Sequence, residues 1–322
     1  MWRKQLSAAL CAAVLLVGAA GCTKQETGYL PPVAQSVELT CLEDEAVALA
    51  ASPGALPSGM EPQQGALVKG NAKAEIDYSH TGEGYVMVRP LADSGKRWKA
   101  QVKGSTATYT YNLTPAVWAV FPLSDGNGEY QITVYENVSG TSYAAALSLK
   151  CSVTLNDEFA PFLHANQYVD YDAAPNTVAK AAELTAQAGT ELEKVAAVYD
   201  YVVHNLTYDS QLAANVTSGY LPVLDQVLEK RSGICFDYAA LMTGMLRSQG
   251  VPCKLVVGYA GTVYHAWISV WTAEHGWVDN VVYFNGSSWQ RMDPTFASSG
   301  GKDPAIRRYI GDGSNYTARY FY

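Results

Sequence analysis

The chain has 322 residues, 48% of them hydrophobic and 16% charged, with 22 Lys and Arg against 30 Asp and Glu and a formal net charge of −8. That apolar content is enough to bury a large core, which excludes a chain disordered along its length. The acidic balance, with no Lys/Arg-rich run, excludes the electrostatic footprint of a nucleic-acid-binding protein, and the length favours two domains.

Residues 1–22 read as a leader. Arg3 and Lys4 give a positive start, Leu6 to Ala20 an apolar stretch, and Ala19-Ala20-Gly21 the small residues a signal peptidase needs. The stretch is short for a permanent membrane span. Cys22 follows at once, and Leu-Val-Gly-Ala-Ala-Gly-Cys (16–22) resembles the lipobox of bacterial lipoproteins, with Ala19 where Leu is commonest. The resemblance implies that Cys22 is diacylated and becomes the mature N-terminus, with the protein held outside the cytoplasm on the bacterial cell membrane. Each buried methylene of such an anchor adds about 0.8 kcal/mol. The alternative is an ordinary signal peptide followed by an incidental cysteine.

Of six cysteines, Cys11 leaves with the leader and Cys22 carries lipid, so Cys41, Cys151, Cys235 and Cys253 remain. An extracytoplasmic setting permits disulfides, and Cys41 with Cys151 is the pairing that would staple the amino-terminal segment to the end of the first domain. Sequence does not fix that connectivity. No Cys/His set has zinc spacing, and no EF-hand-type loop is present, so neither a metal nor another cofactor is expected.

Residues 23–65 read as a tether, broken by Pro31, Pro32, Pro53, Pro57 and Pro62. Residues 66–155 change character: β-branched and aromatic runs at 85–89, 106–111, 116–121, 130–135 and 145–149 are punctuated by Gly and Asn. Short strands at this spacing predict an antiparallel β-sandwich. It carries no evident chemistry, and a spacer or adhesive role is expected of it.

From 156 to 322 the pattern turns helical and then extended. Thr190-Glu191-Leu192-Glu193 is a capping box, followed by a stripe of Leu192, Val195, Tyr199, Val202 and Val203. Pro222 opens a short helix, and a third runs from Cys235 to Gly250 with Pro252 barring continuation. Period-two runs at 255–259, 264–271, 277–284 and 288–292 predict antiparallel strands. Helices before a meander sheet make this domain α+β. The aromatic carboxy-terminal stretch, with Tyr309, Tyr316, Tyr320, Phe321 and Tyr322, is expected to pack back onto it.

The chemistry concentrates in three places. In Arg-Ser-Gly-Ile-Cys-Phe-Asp-Tyr-Ala (231–239), Gly233 permits a sharp turn and Cys235 falls in the first helical turn. Free amides and the helix dipole there favour a thiolate. A lone cysteine on an apolar stripe is equally a small buried hydrophobe. His265, in Tyr-His-Ala-Trp-Ile-Ser-Val-Trp (264–271), shares a strand face with Trp267, Ser269 and Trp271, where it can serve as base and then acid. Asp293 ends a strand before Pro294 and is suited to orient an imidazole. Asp279 is a rival in a strand interior, and Asp237 suits the first helical turn for dipole reasons.

The ordered set Gly-Ile-Cys-Phe-Asp-Tyr-Ala (233–239), Gly-Val-Pro-Cys-Lys-Leu-Val-Val-Gly-Tyr (250–259), His-Ala-Trp-Ile-Ser-Val (265–270) and Asp-Pro-Thr (293–295) resembles the transglutaminase-like superfamily over roughly residues 180–297. The resemblance implies a papain-like core in which Cys235 is the nucleophile, His265 the base and Asp293 its orienter. Cys253 departs from the family pattern and is expected to be structural. The Cys235 amide is the natural first oxyanion donor, with Tyr208 or Asn205 as candidates for the second. The implied activity is amide acyl transfer through a thioester, with water or an amine as acceptor and a protein or peptide, cell-wall peptide included, as substrate. The alternative is an inactive surface scaffold that binds through its sandwich. Oligomeric state has no signal in the sequence.

Overall fold

The computed structural model describes residues 67–91, 95–273, 276–278, 282–284, 289–291 and 316–322. The leader, the tether, Cys22, Cys41, Asp279 and Asp293 lie outside them. The first described unit has eight strands: β1 (Val68–Gly70), β2 (Ala74–Asp77), β3 (Tyr85–Pro90), β4 (Trp98–Lys103), β5 (Thr108–Leu113), β6 (Ala119–Pro122), β7 (Gly128–Ser139) and β8 (Ser142–Val153). They form two four-stranded antiparallel sheets, ordered β1-β2-β3-β6 and β5-β4-β7-β8. The expected sandwich is present.

Three strands, β1, β2 and β4, have no counterpart in the runs read from sequence. Polar residues at alternate positions, Lys99, Gln101 and Lys103, disguise β4, whose Trp98, Ala100 and Val102 are buried. Strand β6 starts at Ala119 rather than 116 because Ala116 has φ 59°, a turn conformation that no strand sustains.

The second unit opens with α1 (Pro175–Thr185) and α2 (Glu191–Asn205). The capping box holds: the Glu193 amide donates to Thr190 Oγ1 at 3.2 Å, and the Thr190 amide donates to Glu193 Oε2 at 3.2 Å. The face α2 buries is Val195, Val198 and Val202, so Val198 replaces Leu192, Tyr199 and Val203 in the fully buried stripe. Next come β9 (Thr207–Tyr208), α3 (Ser210–Asn215), α4 (Leu224–Lys230), β10 (Ser232–Gly233) and α5 (Cys235–Ser248). Helix α4 begins two residues after Pro222, since Val223 keeps extended backbone. Helix α5 stops before Gly250, whose φ of 75° turns the chain away.

Strands β11 (Cys253–Ala260), β12 (Val263–Thr272) and β13 (Gly276–Val278) follow, then β14 (Val282–Phe284), β15 (Trp289–Arg291) and β16 (Tyr316–Phe321). The run 277–284 is two strands rather than one, because β13 pairs with β12 while β14 pairs with β15. Strand β16 pairs with β11, giving the order β13-β12-β11-β16. Of the carboxy-terminal aromatics, Tyr320 and Tyr322 are buried and Tyr316 and Phe321 half-buried, packing back as expected but by way of a sheet strand, while Tyr309 lies outside the described residues.

The sandwich and the α+β unit share one apolar core. Tyr109 and Tyr111 of β5 meet Tyr322 at ring separations of 5.5 and 6.0 Å, and Tyr168 of the connecting segment lies 4.6 Å from Tyr322 and 5.5 Å from Phe236 of α5. Arg247, 3% exposed, donates to the carbonyls of Cys253 (2.8 Å), His164 (2.7 Å) and Tyr322 (2.6 Å), tying α5, the connecting segment and the last residue together. Among the described residues no helix is long and apolar enough to cross a membrane.

Candidate active site

Helix α5 enters from a constrained approach. Arg231 caps α4 with a left-handed φ of 51°. Then β10 pairs in parallel with β9, placing Ser232 opposite Thr207 and Gly233 opposite Tyr208. The Thr207 amide donates to the Arg231 carbonyl and the Asp209 amide to the Gly233 carbonyl, each at 2.9 Å. Ile234 is extended, and Cys235 is the first helical residue, 8% exposed. The expected position in the first turn of a helix is thus realised.

Asp237 does more than its sequence position suggested. It has no exposed surface. Its Oδ2 accepts from the Ile234 amide at 2.8 Å and its Oδ1 from the Tyr220 hydroxyl at 2.8 Å. Burial pushes its carboxyl up to about 6. No local pattern announces Tyr220 as its partner.

His265 lies on β12 opposite Gly258 of β11 and is 5% exposed. Its ring stacks toward Trp267 at 6.3 Å, and Tyr316 of β16 meets it edge-on at 6.4 Å and Trp267 at 5.2 Å. A side chain at Gly258 would run into the Thr317 carbonyl and come within 2.8 Å of the Trp267 ring. Glycine is required there for β16 to close over this region. Helix α5 packs against β11 and β12, so Cys235 and His265 stand on adjoining elements. Among the described residues the Cys235 thiol makes no hydrogen bond, and Asp293 lies outside them, so the third member of the expected set is not located.

The other candidates separate cleanly. The Asn205 side-chain amide is spent on the Tyr201 carbonyl, 2.8 Å away within its own helix. Tyr208, half-buried, sits one strand pair from the approach to Cys235. Cys253 is fully buried, its thiol donates to Thr243 Oγ1 at 3.6 Å, and burial pushes it up to about 11, as suits a structural residue. Cys151 is half-buried on β8 with no disulfide partner among the described residues, and its expected partner Cys41 lies outside them.

The segment that carries this cysteine-bearing helix and histidine-bearing sheet is similar in sequence to a known family. Residues 178–294 match the family model of the transglutaminase-like superfamily. Three curated relatives are similar to this chain. The uncharacterized protein YebA of Bacillus subtilis is 28% identical over 183 residues, 49% of this chain and 24% of that one. The kyphoscoliosis peptidase of Homo sapiens is 30% identical over 118 residues, 36% of this chain and 17% of that one. A protein-glutamine gamma-glutamyltransferase of Pseudomonas aeruginosa is 34% identical over 68 residues, 17% of this chain and 10% of that one. The chain thus spans a quarter or less of the length of these relatives.

Proposed function

We propose that this chain is a cysteine-dependent acyl-transfer enzyme that forms a thioester at Cys235 from an amide substrate. The observation that carries the reading is the place of Cys235 at the first turn of α5, on a helix packed against the strand of His265. The Cys235 thiolate attacks the amide carbonyl, and the Cys235 backbone amide and the Tyr208 hydroxyl receive the charge that develops on oxygen. His265 takes the thiol proton and returns it to the leaving amine, with Asp293 holding the imidazole. Water or a second amine then attacks the thioester with His265 as base, regenerating the thiol. The first half-reaction is common to both outcomes. A peptidase and a transferase among the relatives make both reasonable. Cys22 as a lipidated N-terminus would present the enzyme to protein or peptide substrates at the outer face of a bacterial cell membrane.

The test is acylation of the purified chain by a glutamine-containing peptide library, read as a mass increment on the Cys235 peptide, with and without a dansylated primary amine. A Cys235 adduct that is absent in His265→Ala is expected, and release as free acid or dansyl amide assigns the acceptor. An adduct that forms equally in Cys235→Ala sinks the proposal. A folded protein with no adduct under any condition leaves the scaffold reading in its place.

A further inference from the structure

We propose that Asp237 is a positioning residue for the Cys235 site, its carboxylate fastening the loop that carries Tyr220 and the amide of Ile234 to the first turn of α5. The proposal rests on the acyl-transfer reading of Cys235. A carboxylate removed from water is costly unless its oxygens are matched by donors. Asp237 has no exposed surface, and each oxygen has one: the Ile234 amide on Oδ2 and the Tyr220 hydroxyl on Oδ1. A residue present only to complement the helix dipole gains nothing from such burial.

The two partners belong to the two segments that meet at the helix tip. Ile234 is the residue before Cys235, so holding its amide fixes the turn that aims the Cys235 amide and thiol. Tyr220 belongs to the loop between α3 and α4, and its neighbour Gly219 has φ 91° and lies against the sandwich: a side chain there would come within 2.9 Å of Asn112 Nδ2 on β5. At these two successive residues the loop approaches the sandwich closely and is bonded to Asp237.

The other groups acting on the carboxyl are Asp209, the N-cap of α3, which raises its proton affinity, and Lys230, at the end of α4, which lowers it. Near neutral pH the carboxylate accepts both hydrogen bonds. Protonation removes the negative charge that strengthens both hydrogen bonds, so the two ties weaken and the helix tip loosens.

The experiment is iodoacetamide labelling of the purified full chain between pH 4.5 and 8, read by mass spectrometry at Cys235 and Cys253, with thermal melting as the check on folding. In the wild type the Cys235 rate should fall as pH drops through about 6, where burial holds Asp237. Tyr220→Phe removes a donor that stabilises the carboxylate and should move that limb up by roughly one pH unit. Asp237→Asn should remove the limb and lower the neutral-pH rate about tenfold. A limb that stays put in Tyr220→Phe, or survives unchanged in Asp237→Asn, overturns the proposal. Should wild-type Cys235 label no faster than Cys253, the acyl-transfer reading falls and this one with it. Rapid wild-type labelling with unmoved limbs overturns the positioning role alone.

Discussion

A Cβ built on Gly233 would lie 2.6 Å from the Cβ of Asp237, so the side chain of one residue occupies the space the other leaves free. Glycine at 233 is thus set by a close approach, since the returning carboxylate needs the volume beside the helix tip. Gly233→Ala should displace Asp237, destabilise the protein by about 1–3 kcal/mol and slow Cys235 labelling. Urea unfolding together with iodoacetamide labelling checks both, and an unchanged rate would show that the approach turn adapts.

The raised carboxyl of Asp237 also has a consequence for stability. A folded-state value of about 6 lies above the usual carboxylate range, so the native state binds the proton more tightly than the unfolded chain. The associated stability is present below about pH 4 and is lost as pH rises through about 6, on the order of 2–3 kcal/mol. Asp172 is pushed up to about 6 by burial as well and acts in the same direction. Asp237→Asn should flatten the fall of melting temperature between pH 4 and 6. Equal slopes in the two proteins would contradict this.

Arg247 is a buried cation whose three contacts are all carbonyl oxygens. Burial lowers it to about 10, which still leaves it charged at neutral pH. Arg247→Met removes a charged donor from three backbone oxygens, of which that of Tyr322 keeps the Leu255 amide, and should destabilise by about 3 kcal/mol or more. Arg247→Lys should recover little, because an ammonium on a single stem cannot reach three carbonyls in a planar fork. Denaturant midpoints of the two variants decide the point, and near-wild-type stability in Arg247→Lys would count against it.

The seam between sandwich and α+β unit should make them unfold together. Tyr111, 1% exposed, stacks on Phe121 at 4.2 Å and reaches Tyr168 and Tyr322. Tyr111→Ala should cost about 3–5 kcal/mol and lower a single calorimetric transition. The hydroxyls of Tyr111 and Tyr322 are buried without a hydrogen-bond partner among the described residues. Tyr111→Phe should accordingly match or exceed the wild-type midpoint, by up to about 1 kcal/mol. Two separate transitions, or a large loss in Tyr111→Phe, would show that the seam is not a shared core.

Tyr316 is the described contact of the His265 ring contributed by the last strand, and Tyr316→Ala should loosen that imidazole while sparing the buried Tyr320 and Tyr322. The expectation is a several-fold slower, His265-dependent labelling of Cys235 at unchanged melting temperature. Labelling at the wild-type rate would assign Tyr316 to packing alone.

The features legible in the sequence are those with a short-range cause. Thr190 and Glu193 satisfy each other's amides within one turn, so their box is visible as a tetrapeptide. Gly250 stops α5 through its own backbone angle. Alternation in 264–271 reports a strand because the pleat repeats every two residues. The sandwich, the α+β order and the place of Cys235 at a helix start follow from signals of this kind, and the order of motifs along the chain carries the resemblance to the transglutaminase-like superfamily.

What the tertiary structure alone decided involves partners far apart along the chain. Tyr220 finds Asp237 across 17 positions and Arg247 finds the Tyr322 carbonyl across 75, with no periodicity linking either pair. Strand β16 adds to β11 rather than to the strand before it, and β9 pairs in parallel with β10 across two intervening helices. Such contacts are selected by which buried donors and apolar faces remain to be satisfied once the local elements have formed. A local pattern carries the propensity of a segment, while the identity of its neighbour is fixed only when the whole core closes.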